Sequence, residues 1–278
     1  MSIETFKKLQ PEEYLKQHYE QGLRPDGRKG LNSLRPVSIS VGSISTADGS
    51  AVVKQGDTIV VCGIKLEIAE PKAEAPTKGF IVPNLALAPV CHSQFRPGPP
   101  PDLAQCASQF LHETVVNSGM IKPGDLCILE GKYVWTIYAD LTCLNYSGSI
   151  LDASLKALVA ALKNTKLPKT IVSTDDDLVN LEVDPESRTS LTLGPIPISI
   201  TVSIFDGNML LDPTDEEEEH SESLVSVVLV GNELCHVQKP GGVGISPEKV
   251  QQCISLAKKN CKSVHKLIDS AARATLKE

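Results

Sequence analysis

From position 37 the chain alternates apolar and polar residues with a period of two: Val37, Ile39 and Val41, then Ala51 and Val53, then Ile59 and Val61, and finally Ile64, Leu66 and Ile68. Turn chemistry interrupts the alternation at Ala47-Asp48-Gly49 and at Gln55-Gly56-Asp57, which predicts an antiparallel meander of three strands. Helical spacing governs other segments. Residues 11–21 form a short helix with Tyr14, Leu15 and His18 on one stripe, and Ala104, Ala107, Phe110, Leu111, Thr114 and Val115 mark a second helix with Asp102 at its expected N-cap. Between meander and helix, residues 70–102 contain eight prolines, and this stretch reads as an irregular loop laid over the surface.

A strand is expected at 126–129, and residues 131–165 then carry the most informative pattern: a strand over 132–144, a turn over 145–150 and a helix over 152–163. With Gly148 in the turn and Asp152 where an N-cap belongs, free backbone N–H groups would converge on one point, a place for an anion. No Arg or Lys lies between Lys132 and Lys156, so the turn offers the geometry of an anion seat without a fixed cation.

The second half repeats the scheme. Strands are predicted at 198–205, 208–211, 224–230 and 234–238, and Ser246-Pro247-Glu248 opens a long amphipathic helix to the C-terminus. One α/β domain over 1–278, with halves at about 30–195 and 196–278, fits this repetition better than two independent domains. The acidic run from Asp212 to Glu219 reads first as a solvated loop and alternatively as carboxylates that handle a proton or a divalent metal. Lys239-Pro240-Gly241-Gly242-Val243-Gly244 lacks P-loop spacing and reads as a tight connection before the last helix.

Composition narrows the chemistry. A formal charge of −7 disfavours nucleic-acid binding by general attraction, so any RNA contact must be local or shared with a basic partner. No apolar run approaches a membrane span and the start lacks a signal-peptide pattern, so a soluble protein with no membrane contact is expected. The eight cysteines are scattered without a CxxC pair and read as buried free thiols, and no metal or cofactor is expected. Cys91-His92 and Cys235-His236 would point to opposite faces of a strand, which is wrong for a nucleophile and its base. Around Arg24-Pro25-Asp26-Gly27-Arg28, a turn by its Pro-Asp-Gly, the two arginines are either phosphate contacts or, on the plainer reading, partners of acidic groups within the chain or across a subunit contact.

Arg24 to Arg28, Gly42-Ser43 through Lys54, Gly79 to Asn84, Pro97-Gly98-Pro99-Pro100, Gly148 to Ser154 and Leu211-Asp212-Pro213-Thr214 together resemble the RNase PH-like subunits of the RNA exosome, over essentially the whole chain. The likeness is greatest to the non-catalytic class. It implies the ribosomal-protein-S5-domain-2-like α/β fold, a place in a hexameric ring beside other RNase PH-like subunits and S1/KH cap subunits, RNA as the molecule threaded through the ring, and residence in nucleus, nucleolus and cytoplasm. Active members of the family split RNA from its 3′ end with inorganic phosphate, held by a Gly-Ser/Thr-Arg turn that here reads Gly148-Ser149-Ile150. Losing that arginine would weaken phosphate binding by about 2–5 kcal/mol. Paired arginines that grip RNA are matched here by Pro101 and Asp102, and the proton-handling aspartates by Asp212 and Glu218.

The resemblance therefore implies a site with no catalytic residue and a structural role. Arg96 is the candidate contact to RNA or a cap subunit, with Arg24 and Arg28 behind it. Two other readings stay open: an active phosphorolytic 3′-to-5′ exoribonuclease, and a small-molecule kinase, a class that needs a Gly-rich ATP loop absent here.

Overall fold

The computed structural model describes residues 3–175 and 178–274. Two short helices, α1 (Ile3–Leu9) and α2 (Pro11–Glu20), precede the predicted meander, which forms as β1 (Val37–Val41), β2 (Gly49–Gln55) and β3 (Thr58–Ala69) with antiparallel pairing throughout. On α2 the predicted stripe is met in part: Leu15 is buried with Tyr14 and His18 half-buried beside it, and Tyr19, not foreseen, is buried too. Leu15 and Tyr19 meet Phe205 and Leu210 in a small satellite core.

The proline-rich stretch is not a continuous loop. It contains β4 (Phe80–Leu87), which pairs in parallel with the later strand β6 and lies at the edge of the sheet. Pro83 hides this strand from sequence reasoning, but an edge position tolerates a residue that cannot donate to a second neighbour. Burial alternates along β4 as the pleat requires, with Ile81, Pro83, Leu85 and Leu87 turned inward.

Helix α3 (Asp102–Ser118) follows, with Pro101 at the N-cap and Asp102 already inside the first turn, so Asp102 is not the cap. Its buried positions are the six apolar-face residues predicted. Strand β5 (Cys127–Leu129) then leads to β6 (Tyr133–Asn145), and the sheet order is β1-β2-β3-β6-β4 with β5 on β6.

Helix α4 (Ile150–Asn164) is the central element. Twelve of its fifteen residues are buried, since it is sandwiched between the first sheet and β9 of the second. Its alanines keep the helix thin enough for that. At Gly49 of β2 a Cβ would lie 2.9 Å from the Ala161 carbonyl oxygen, so backbone meets backbone there and only glycine fits.

A hairpin follows, β7 (Lys166–Asp175) with β8 (Leu178–Ser190), unforeseen because it packs little: Ile171, Val172 and Val183 are exposed, so no burial alternation marks it. The second sheet contains β9 (Pro197–Phe205), β10 (Asn208–Leu211), β11 (Ser223–Val230) and β12 (Glu233–Gln238) in the order β10-β9-β11-β12, all antiparallel, with α5 (Asp215–Glu219) between β10 and β11. Helix α6 (Pro247–Ala274) closes the chain. One continuous core joins both sheets with α3, α4 and α6. All eight cysteines are free thiols, five of them buried.

Candidate functional site

The site forms where the β6–α4 turn, α5 and the segment before β1 meet. Strand β6 delivers Tyr146, Ser147 and Gly148, and the first sheet holds the turn through Thr58, whose hydroxyl donates to the Gly148 carbonyl at 2.8 Å and accepts the Ser147 N–H at 3.2 Å. Gly148 has φ +78° and faces α5 so closely that a Cβ would sit 2.5 Å from the Pro213 carbonyl oxygen. The residue at the N-cap of α4 is Ser149, with φ +49° and its hydroxyl donating to Pro213 O at 3.0 Å.

Asp152 is therefore not the cap. It lies in the first turn, 2% exposed, and reaches across to the second sheet, accepting the Thr201 N–H at 2.7 Å and the Ser199 and Thr201 hydroxyls. Its work is to fasten α4 to β9. Lys156, one turn along and 4% exposed, donates to Gln55 Oε1 at 2.9 Å and to the Asp152 carbonyl oxygen at 3.2 Å. With desolvation the largest influence, burial holds the lysine below its ordinary pKa.

A cation does reach the turn, from a residue that sequence reasoning missed. Arg35, 6% exposed, donates to the carbonyls of Ser147 and Gly148 and, through Nε at 3.0 Å and Nη2 at 2.6 Å, to Asp212 Oδ1. Its backbone N–H donates to Asp212 Oδ2 at 2.7 Å, and Gln55 Nε2 adds a fourth bond to that carboxylate at 2.7 Å. Asp212 is fully buried with φ +52°. Burial pushes its carboxyl up, but the Arg35 hydrogen bonds and charge outweigh burial and hold it far below the ordinary carboxylate range. Nothing near Arg35 or Asp212 in sequence marks them as partners, 177 residues apart.

The acidic run is not a solvated loop. Thr214 and Glu217 form a capping box that starts α5, and Glu217, 1% exposed, pairs with the equally buried guanidinium of Arg24 and accepts from the Tyr19 hydroxyl at 3.2 Å. Arg24 is thus a structural cation inside the molecule with no face for RNA or a partner. Arg28 turns inward too, donating to Asp26 Oδ2 at 2.6 Å and to the Ser33 and Asp212 carbonyls at 2.8 and 3.0 Å. The intramolecular pairing is what these two arginines do. Arg96 lies apart from them, exposed, beside a groove lined by Pro97, Gly98 and the 84–89 segment.

Glu218 completes the site. The Ser149 N–H donates to its Oε1 at 2.7 Å and the Tyr146 hydroxyl to its Oε2 at 2.8 Å. Desolvation dominates its titration and pushes it up to about 7, against the lowering effect of those two donors and of Arg35. Tyr146 is held edge-on by Phe95 at 5.5 Å and His92 at 5.8 Å, and His92 Nε2 lies 3.6 Å from Asp215 Oδ2. Ile150 takes no part in this polar cluster: 3% exposed, it belongs to the main core.

Among the described residues no group of three or more His, Cys, Asp or Glu is placed to hold a metal ion, and no helix is long and apolar enough to cross a membrane. The Lys239 loop is a connection, with Lys239 Nζ donating to the Gly241 and Gly242 carbonyls and Val243 bonded to Glu222 and Ser223 at the start of β11.

Comparison with known proteins agrees with this architecture. Residues 33–168 match the 3′ exoribonuclease family, domain 1, known as RNase PH, and residues 196–260 match its domain 2. The chain is 43% identical over 254 residues to the exosome complex component rrp43 of Schizosaccharomyces pombe, covering 91% of this chain and 93% of that one. It is 35% identical over 249 residues to the exosome complex component Rrp42 of Methanopyrus kandleri, covering 89% and 91%. Among solved structures, a chain of the Archaeoglobus fulgidus exosome with RNA bound to the active site superposes with a TM-score of 0.82 at 28% identity, covering 92% of this chain and 96% of that one. Two family matches that together span most of the chain, on an RNase PH-like fold, place this protein in the RNase PH family of 3′ exoribonucleases.

Proposed function

We propose that this chain is a non-catalytic subunit of the hexameric RNase PH-like ring of an RNA exosome, framing the channel through which RNA passes during 3′-to-5′ processing and decay. Relatives that bear exosome-component names along nine-tenths of the chain support the assembly. The observation that carries the absence of catalysis is Ile150. Where active relatives are expected to hold phosphate with an arginine, this side chain is packed into the core, and the cation that approaches the turn, Arg35, is bound to Asp212 and to carbonyls. A dianion needs a free cation as well as donors. Asp212, matched to a proton-handling aspartate, is locked by four hydrogen bonds.

Within the family the finer reading is exosome component 8. Its partners are then other RNase PH-like ring subunits, S1/KH cap subunits and RNA, in nucleus, nucleolus and cytoplasm. The two halves are read as one domain, a reading that the core continuous across them supports. Exposed Arg96 is the contact to RNA or a cap subunit. A second reading, an active phosphorolytic enzyme, draws on one feature: Asp212 held low and Glu218 raised to about 7 are a divided pair of carboxylates of the kind that acid–base catalysis uses. Incubating the purified chain with RNA and inorganic phosphate separates the two. No release of nucleoside diphosphates is expected, and release that disappears in Asp212→Ala would establish the enzyme.

A further inference from the structure

One backbone donor of the anion seat read from the turn, the Ser149 N–H at the N-cap, is already taken, and by the chain itself. Glu218 reaches across from α5, and both of its oxygens accept hydrogen bonds from the turn, one from the Ser149 backbone and one from the Tyr146 hydroxyl. We propose that Glu218 is an internal blocker, whose carboxylate occupies the seat at the start of α4 and excludes inorganic phosphate and RNA phosphodiester oxygens from it.

Independent features hold the blocker in place. The residue before it, Glu217, is anchored in the buried pair with Arg24 and in the capping box, so α5 has no freedom to withdraw Glu218 from the turn. On the other side, Tyr146 is fixed by the Phe95 and His92 rings, which aims its hydroxyl at the carboxylate. Arg35 cannot draw in a second anion, because its guanidinium faces the carbonyl side of the same turn and Asp212. A phosphate entering the seat would have to displace Glu218 from the Ser149 and Tyr146 donors and, as pH rises above about 7, would meet a like charge there. The inference deepens the non-catalytic reading and rests on it: loss of the arginine removed the attraction for phosphate, and Glu218 supplies an obstruction that would persist even if a neighbour lent a cation.

The test follows the Ser149 amide by NMR in the full-length chain while inorganic phosphate is added. Wild type is expected to show no saturable shift, whereas Glu218→Gln and Glu218→Ala, checked for native amide dispersion, are expected to saturate at phosphate concentrations about tenfold or more below the highest that leaves wild type unmoved. Folded variants whose Ser149 amide ignores phosphate as wild type does would overturn the proposal. So would saturable phosphate binding at Ser149 in wild type, a result that decides the matter even where both variants unfold. If they do unfold, a wild-type Ser149 amide that phosphate leaves unmoved, beside a Glu218 carboxyl resonance that stays hydrogen-bonded, supports it. Nucleoside diphosphate release measured in parallel reports separately on the non-catalytic reading.

Discussion

Replacing Arg35 with methionine removes the cation and keeps much of the side chain's length, leaving the buried Asp212 carboxylate with the residue-35 backbone N–H and Gln55 as donors and with Arg28 3.7 Å away. The Arg35–Asp212 pair is inaccessible to solvent on both sides, and breaking such a pair by deleting one partner costs about 3–5 kcal/mol because an uncompensated charge stays inside. For a domain of this size each kcal/mol lowers the melting temperature by roughly 2–4 °C, so Arg35→Met is expected to melt roughly 6–20 °C below wild type at neutral pH. The pH dependence carries the sharper test. In wild type the Asp212 pKa is depressed below 3.8, so its stabilisation is present above that value and is lost as pH falls through the lower folded value. Without the Arg35 guanidinium, burial is opposed only by the residue-35 N–H, Gln55 and the charges of Lys156 and Arg28, so the folded pKa rises and less stability is lost on acidification. The gap between the two proteins must therefore narrow on acidification, and Arg35→Met with Asp212→Asn should recover most of the loss. Urea denaturation across pH measures all three. A loss under about 1 kcal/mol, or a gap that stays constant with pH, would refute the reasoning.

Other outcomes follow from the same geometry. Gly148→Ala forces a Cβ to within 2.5 Å of Pro213 O at φ +78° and is expected to cost about 2 kcal/mol or more, read as a shift in the denaturation midpoint. Glu217→Gln strands the buried Arg24 guanidinium and should cost about 3–5 kcal/mol by thermal melting, with little effect expected from the exposed Lys16–Asp206 pair as a control. Glu218, raised from 4.5 to about 7, makes wild type lose stability as pH rises between those values, and Glu218→Gln should flatten that slope. Arg96→Glu, at an exposed position, should leave stability within about 0.5 kcal/mol while reducing RNA crosslinking in the assembled ring; unchanged crosslinking would count against Arg96 as a contact.

Elements whose burial is periodic could be read from the chain directly. Strand β3 of the meander and the apolar face of α3 bury alternate or helically spaced residues, β9 and β11 are apolar runs buried almost throughout between turns, and the bounds of all of them fall within a few positions of expectation. Pro83 concealed β4, and exposed apolar residues on β7 and β8 erased the contrast that reveals a strand. At the site, Gly148 and the turn were legible because their chemistry is local. Arg35 was not, since its partners Ser147 and Asp212 lie 112 and 177 residues away. Asp152 was misassigned for a related reason: an aspartate at the start of a helix reads as a cap, whereas its oxygens go to Ser199 and Thr201 on a sheet that local pattern cannot place. The acidic run misled because a capping box and a buried arginine partner turn charges inward that composition alone would leave in water.

The same separation has a consequence for the protein's birth. Arg35 leaves the ribosome 177 residues ahead of Asp212, and at synthesis rates of about 5–20 residues per second the cation waits roughly 9–35 s for its carboxylate. During that interval β1, β2 and β3 already exist as sequence, but the β6–α4 turn cannot be locked, and α4 lacks the Ser199 and Thr201 partners that hold it to the second sheet. Until residues 199–212 emerge, α4 has no second sheet to pack on and Arg35 has no carboxylate, so closure of the molecule belongs to the last part of translation.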